Sequence, residues 1–211
     1  MPPSIQRQLL ERIVQKEKGS LVFLSEFLEL DNGDAVRKGF SRLVKEKIIA
    51  RLGQGIYLYP KYDPELGMLY PSTEEIAEAI ATQEKARIIP TGAQALYKLG
   101  ISTQVPLKAV YLSDGIRRTI KLGKRTINFK ITTPKRLATE GKISSLVIQA
   151  LRDLGKDQVD DRLLRQIKKS LQKEDLEKLQ YDAKLAPEWI ATILFSILKE
   201  LKNDRMAKTD R

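Results

Sequence analysis

Along the first sixty residues, the spacing of hydrophobic positions alternates between helical and strand periods. Ile5, Leu9 and Ile13 recur at the spacing of one helix face, and Gly19 follows where such a helix ends. Near residue 50 the pattern changes to alternation around a glycine-rich turn, residues 53–55, which is typical of a β-hairpin. The elements predicted in chain order are a helix over 4–18, a strand over 21–23, a short helix over 26–30, a helix over 34–47, and hairpin strands over 48–51 and 56–59.

The third predicted helix has an apolar face and a basic face. On a helical wheel, Val36, Phe40, Leu43 and Val44 fall on one side. The other side carries cationic and hydroxyl side chains, which suit contact with phosphates and base edges. These candidate DNA-binding residues are Arg37 (at the margin of the face), Lys38, Ser41, Arg42 and Lys45.

Helix, strand, helix, helix and hairpin follow one another in a winged helix-turn-helix, in which the third helix enters the DNA major groove. We therefore expect Arg42 to pair with a guanine edge and Lys38 and Lys45 to hold phosphates. Arg51 and Gln54, on the hairpin, are expected to reach the adjacent minor groove or the backbone. A solvated helix face and a protein-interaction module are the alternative interpretations of the same pattern.

After residue 62 the pattern becomes a mixture of short strands and helices. Residues 61–64 predict a linker, and Ser72 with Glu75 three residues later predicts a capping box at a helix start. Further strands are predicted at 87–89, 109–113, 118–122 and 125–131, and further helices at 91–99, 146–154, 160–171 and from 187 onward, with 203–211 frayed. The predicted fold is α/β (α+β), with a winged helix-turn-helix over 1–62 and a mixed α/β C-terminal domain with a helical end over 63–211.

The composition excludes several kinds of chemistry. The 211 residues include no His and no Cys, so catalytic triads, thiol nucleophiles, the usual zinc ligands and disulfides are excluded. The adjacent acidic pairs 74–75 and 160–161 suit helix capping, and no helix follows Gly55 to make a phosphate-binding loop. We therefore expect no enzymatic activity, no cofactor and no metal.

The net charge of +11 points to a polyanionic partner, and its distribution is uneven in one place. Residues 115–139 hold eight basic side chains and no acidic one. Most of them belong to the predicted hairpin and form a second basic surface: Arg117, Arg118, Lys121, Lys124, Arg125 and Lys130. This surface is interpreted as a site for RNA or for a protein partner, or else as an extension of the DNA contact.

No membrane partner is expected, because the longest apolar run, residues 189–198, is about half the length of a membrane span. The broad apolar face of this last helix predicts packing into the core of the second domain, with a dimer interface as the alternative. The lack of cysteine is consistent with a reducing compartment, so a cytoplasmic protein is expected.

Three stretches give the sequence a family likeness. They are the recognition-helix-to-wing run (residues 35–44 and 53–57), the run IPTGAQAL at 89–96 continued by LGISTQVP at 99–106, and VYLSDG at 110–115 with APEWI at 186–190. On these motifs the sequence resembles the AbiEi-type antitoxins, the regulator halves of type IV toxin–antitoxin pairs. The likeness covers most of residues 5–200, and the second stretch is the most specific.

The resemblance implies a DNA-binding protein that represses its own operon at an inverted-repeat operator. A homodimer is one oligomeric state in which the protein could bind such an operator. It also implies neutralisation of a cognate nucleotidyltransferase-like toxin without obligatory stable contact. Repressor and antitoxin functions are therefore expectations from the likeness, and composition and spacing establish neither.

Overall fold

The computed structural model describes residues 3–209 and has the predicted mixed α/β fold. The chain divides into two compact units. The first holds the described residues up to Glu84 together with Thr119–Ile127, and the second holds residues 85–118 and 128 onward. Residue 62, where the sequence places a domain boundary, lies within the first unit, and that boundary stays a prediction.

The first unit begins with the elements in their predicted order. These are α1 (Ile5–Ile13), β1 (Leu21–Phe23), a 3₁₀ helix (Leu24–Phe27), α2 (Gly33–Lys45), β2 (Ala50–Gly53) and β3 (Ile56–Leu58). The strands form an antiparallel sheet in the order β1-β3-β2. Next come β4 (Lys61–Asp63), β5 (Gly67–Leu69) and α3 (Thr73–Glu84).

Some predictions for this unit are wrong in detail. The short helix predicted over 26–30 is a 3₁₀ helix at Leu24–Phe27. The first helix ends at Ile13 rather than at residue 18, because Gly19 and Ser20 already hydrogen-bond to Tyr59 beside the sheet and the chain must turn before them. Residues 61–64 are not a linker, since β4 pairs with β5. Asp63 makes the turn between these strands by accepting hydrogen bonds from the N–H groups of Glu65 and Leu66, both at 2.9 Å.

The capping box at α3 is confirmed. The Ser72 N–H donates to Glu75 Oε2 at 2.8 Å, and the Glu75 N–H donates to Ser72 Oγ at 3.1 Å. These reciprocal bonds satisfy donors that a helix start otherwise leaves unpaired, which is why the short motif locates the helix from sequence alone.

The second unit contains a sheet and a helical end. Its elements are β6 (Ile88–Thr91), α4 (Ala93–Lys98), β7 (Lys108–Ser113), α5 (Pro134–Leu137), α6 (Lys142–Leu154), a 3₁₀ turn (Lys156–Gln158), α7 (Asp161–Leu171), α8 (Leu176–Leu185) and α9 (Glu188–Thr209). The predicted hairpin of β8 (Arg118–Leu122) and β9 (Arg125–Ile131) is present in the strand order β6-β7-β9-β8, and its residues Thr119–Ile127 group with the first unit.

Several helices of this unit differ from the prediction. Thr91 lies in β6, and Gly92, with a φ of +60°, takes the N-cap position of α4. No separate helix is predicted at α5 or α8. Helix α9 continues to Thr209, whereas the chain from Asn203 is predicted to be frayed, and residues 210 and 211 of that prediction lie outside the described residues.

The last helix packs into the core of this unit, as its apolar face predicts. Ile190, Leu194 and Leu201 are buried against residues of α6, α7 and α8. Within residues 3–209, no helix combines the length and the hydrophobicity that a membrane span requires.

Candidate nucleic-acid interface

Helix α2 is held in place by the face opposite its basic side chains. Asn32 caps the helix by accepting a hydrogen bond from the Ala35 N–H at 3.0 Å. Phe40 is fully buried and makes an edge-to-face contact with Phe27 and a tilted contact with Tyr57, at centroid distances of 5.4 and 4.7 Å. Gly39 lets α1 approach closely, since a Cβ there would lie 2.5 Å from Leu9 Cδ1. The helix is therefore a fixed support for its outer face.

The outer face of α2 presents the predicted basic residues to solvent. Arg37, Lys38, Ser41, Arg42 and Lys45 are all exposed. Among the residues that the structure describes, Lys38, Arg42 and Lys45 form no salt bridge. Three cations on one side of a rigid helix can thus contact an anionic partner without first breaking an internal ion pair.

Arg37 differs from the other three cations. Its Nη2 donates to Asp34 Oδ1 at 2.7 Å, one turn earlier in the helix. This hydrogen bond and the charge of Arg37 hold the pKa of Asp34 below its usual range. Asp34 is absent from the residues predicted above, although an acid three residues before an arginine in a helix is a recognisable pairing signal.

The β2–β3 hairpin is short. Only Gln54 and Gly55 separate its strands, Gly55 has a φ of +70°, and the register shifts by one residue between Arg51 and Gly53. Both predicted contact residues, Arg51 and Gln54, are exposed. So tight a turn keeps Arg51 and Gln54 close to the sheet that supports them.

The second basic surface is divided between the two units. Lys121, Lys124 and Arg125 lie in the segment that groups with the first unit, whereas Arg117, Arg118 and Lys130 belong to the second. Lys121 and Lys124 are exposed, and Arg118 and Arg125 are half-buried. Within the first unit, β8 approaches the β2–β3 hairpin closely, because a Cβ on Gly53 would lie 2.8 Å from Ile120 Cδ1.

Arg136 on α5, one of the eight basic residues of 115–139, and Arg152 on α6 form a pair in the second unit that the sequence does not indicate. Both are half-buried, and the charge of Arg136 contributes to a lowered pKa of Arg152. Sixteen positions separate them, so no local pattern joins them. No group of three His, Cys, Asp or Glu residues suited to a metal ion occurs in the part of the chain that the structure describes.

Comparison with known proteins gives a family but no function. The chain belongs to DUF6088, a family of unknown function, whose model matches residues 8–179. No curated protein matches the sequence.

Proposed function

We propose that this member of the DUF6088 family is a DNA-binding transcriptional repressor whose α2 enters the major groove. The observation that carries the proposal is the outer face of α2. Lys38, Ser41, Arg42 and Lys45 are exposed on a helix whose inner face is fixed by a buried aromatic cluster. The element order around α2 supports the winged-helix interpretation, and α2 is the element that such domains place in the groove.

Each side chain then has a role that follows from its chemistry. Arg42 reads a guanine edge through its two-pronged guanidinium, and Lys38 and Lys45 bind phosphates as point charges. Ser41 contacts a base or a phosphate, and Arg51 and Gln54 contact the DNA beside the groove. Such a protein acts in the cytoplasm, on the promoter of its own operon.

The antitoxin function is part of the proposal and is supported by the resemblance to AbiEi-type antitoxins. The protein represses its operon at an inverted repeat and counteracts a nucleotidyltransferase-like toxin encoded beside it. Growth arrest by that toxin should be relieved when this protein is co-expressed. If the neighbouring genes encode no such toxin, or if co-expression gives no relief, the antitoxin part fails and the DNA-binding part stands separately.

Binding to a duplex from upstream of the gene tests the DNA-binding function. Fluorescence anisotropy should show tighter binding to this duplex than to a scrambled duplex of the same composition. Arg42→Ala should weaken binding by about 1–3 kcal/mol and relax the preference at one base pair, whereas Lys38→Ala should weaken binding to both duplexes similarly. Lys169→Ala, an exposed cation on α7, is the matched control and should have no effect. Equal affinity of the wild-type protein for the two duplexes would rule out the repressor.

A second candidate function concerns the β8–β9 hairpin. Because Thr119–Ile127 groups with the same compact unit as α2, we favour a hairpin that extends the DNA contact over one that binds RNA or the toxin. Lys121 and Lys124 are exposed and provide two further cations for phosphates.

A further inference from the structure

One arginine of the second unit contacts a buried amide, and a second arginine lies one turn further along the helix that carries this amide. Arg136 Nη2 donates to Gln149 Oε1 at 3.0 Å, and the Gln149 side chain is only 1% exposed. Arg152 follows Gln149 by three positions on α6, so the two residues share a side of that helix. Gln149 thereby holds the Arg136 guanidinium against the side of α6 that also carries Arg152.

Neither guanidinium has a counter-ion among the residues that the structure describes. Within residues 3–209, no carboxylate oxygen lies within 4.0 Å of Arg136 or Arg152. The Nε atom of each is buried and has no hydrogen-bond partner. An unpaired buried N–H is unfavourable, and it is more so on a group that carries a charge.

The two cations also interact with each other. Burial is the main cause that lowers the pKa of Arg152, and the positive charge of Arg136 lowers it further. Two like charges that are close together and partly removed from water destabilise the unliganded protein, and an anion bound between them would reverse that effect. Asp153 does not serve as this anion, because its carboxylate lies beside Gly92.

We propose that Arg136 and Arg152 form a binding site for a small phosphate-bearing anion, either inorganic phosphate or the phosphate of a mononucleotide, with Gln149 orienting Arg136. Guanidinium groups match phosphate through paired N–H donors, and two of them supply enough charge for a dianion. Both side chains are half-buried, which favours a small ligand over a DNA duplex, whose phosphates are met by exposed side chains such as those of α2. The site is independent of the proposed DNA-binding function.

Thermal unfolding with and without phosphate, at constant ionic strength set with chloride, tests the site. Inorganic phosphate should raise the Tm of the wild-type protein by about 5–10 °C once it reaches roughly 100 times its Kd. Arg152→Gln should lose at least about tenfold in phosphate affinity by calorimetry, which is about 1.4 kcal/mol. Its Tm without phosphate should be unchanged or higher, because the repulsion between the two cations is removed.

A second variant separates binding from folding. Gln149→Glu keeps the shape of the side chain and places a carboxylate beside Arg136, so it should raise the Tm without phosphate and weaken phosphate binding. Arg162→Gln, an exposed arginine on α7, is the control and should behave as wild type. The proposal is wrong if phosphate and chloride give the same Tm in the wild type, or if neither Arg152→Gln nor Gln149→Glu changes the phosphate response.

The choice of ligand distinguishes the two sources of phosphate. A mononucleotide that binds at least tenfold more tightly than inorganic phosphate, and that loses this binding in Arg152→Gln, identifies a nucleotide site. Equal affinities identify a phosphate site. If neither small anion binds and Arg152→Gln instead weakens binding to a duplex, the small-ligand site is overturned in favour of a DNA contact.

Discussion

Asp34 reduces the positive charge of the α2 face. Its carboxylate neutralises Arg37 and, with its pKa lowered by that partner, stays ionised at neutral pH. Asp34→Asn should therefore free Arg37 and raise affinity for DNA roughly two- to fivefold, within the range expected for one exposed ion pair. Anisotropy titrations measure the change, with Asp157→Asn, an exposed acid in the second unit, as the control. A loss of affinity would show that Arg37 contributes only when it is held by Asp34.

Asp182 stabilises the start of α6 through hydrogen bonds. Fully buried, it accepts hydrogen bonds from the Glu140 and Gly141 N–H groups at 2.8 and 3.0 Å and from Ser144 Oγ at 2.5 Å. Glu174 accepts hydrogen bonds from the N–H groups of Ile143 and Ser144. Two acids from later in the chain therefore cap α6, because its own N-cap residue, Gly141, has no side chain that could do so.

Removal of this cap should destabilise the protein. Asp182→Ala leaves the buried Gly141 N–H and the partly buried Glu140 N–H without their acceptor, and we expect a loss of about 3 kcal/mol in the free energy of unfolding. Urea denaturation followed by circular dichroism measures it, and Asp182→Asn, which retains an oxygen acceptor, should lose less. A change below about 0.5 kcal/mol for Asp182→Ala would show that water replaces the carboxylate.

At the scale of elements, the contact between α1 and α2 depends on the absence of a side chain at residue 39. Alanine is a better helix former than glycine by about 1 kcal/mol. A Cβ at this position would nevertheless lie 2.5 Å from Leu9 Cδ1, and Leu9 is fully buried. Overpacking of this kind costs about 1–3 kcal/mol, so Gly39→Ala should be destabilising overall.

A double-mutant cycle tests this explanation. Leu9→Ala removes the atom that the new Cβ would meet, so Gly39→Ala should be much less harmful in the Leu9→Ala background than in the wild type. Chemical denaturation of the four proteins gives the coupling free energy. Additive effects would mean that Gly39 is required for a reason other than its contact with Leu9.

At the scale of the whole molecule, the question is whether the basic hairpin belongs to the DNA contact. When the logarithm of DNA affinity is plotted against the logarithm of salt concentration, the line falls. Its slope steepens by about 0.9 for each phosphate that the protein neutralises. If Lys121 and Lys124 bind phosphates, the double variant Lys121→Ala and Lys124→Ala should reduce this slope by about 1–2. The control is the pair Arg162→Ala and Lys169→Ala on α7. An unchanged affinity and slope would assign the hairpin to a different partner, such as RNA or the toxin.

Much of the local structure could be predicted from the sequence, because its causes lie within a few residues. The capping box of Ser72 and Glu75 closes over three positions, and the β8–β9 hairpin follows from strict alternation on both sides of Gly123. The exposed face of α2 follows from helical periodicity alone. Short helices such as α5 lack such a signal, since four residues are too few to show a period.

The sequence by itself determined the two-faced α2, the basic hairpin and the mixed α/β class, because periodicity and turn chemistry act between neighbours in the chain. Only the tertiary structure decided which distant groups meet. Asp182 accepts a hydrogen bond from the N–H of Glu140, which lies 42 positions earlier in the chain and just before α6. Arg136 and Arg152 come near enough to interact, and no carboxylate of residues 3–209 lies within 4.0 Å of either. It also decided that the outer part of the hairpin groups with the first unit. Burial and long-range contact set these arrangements, and a pattern along one chain does not record either.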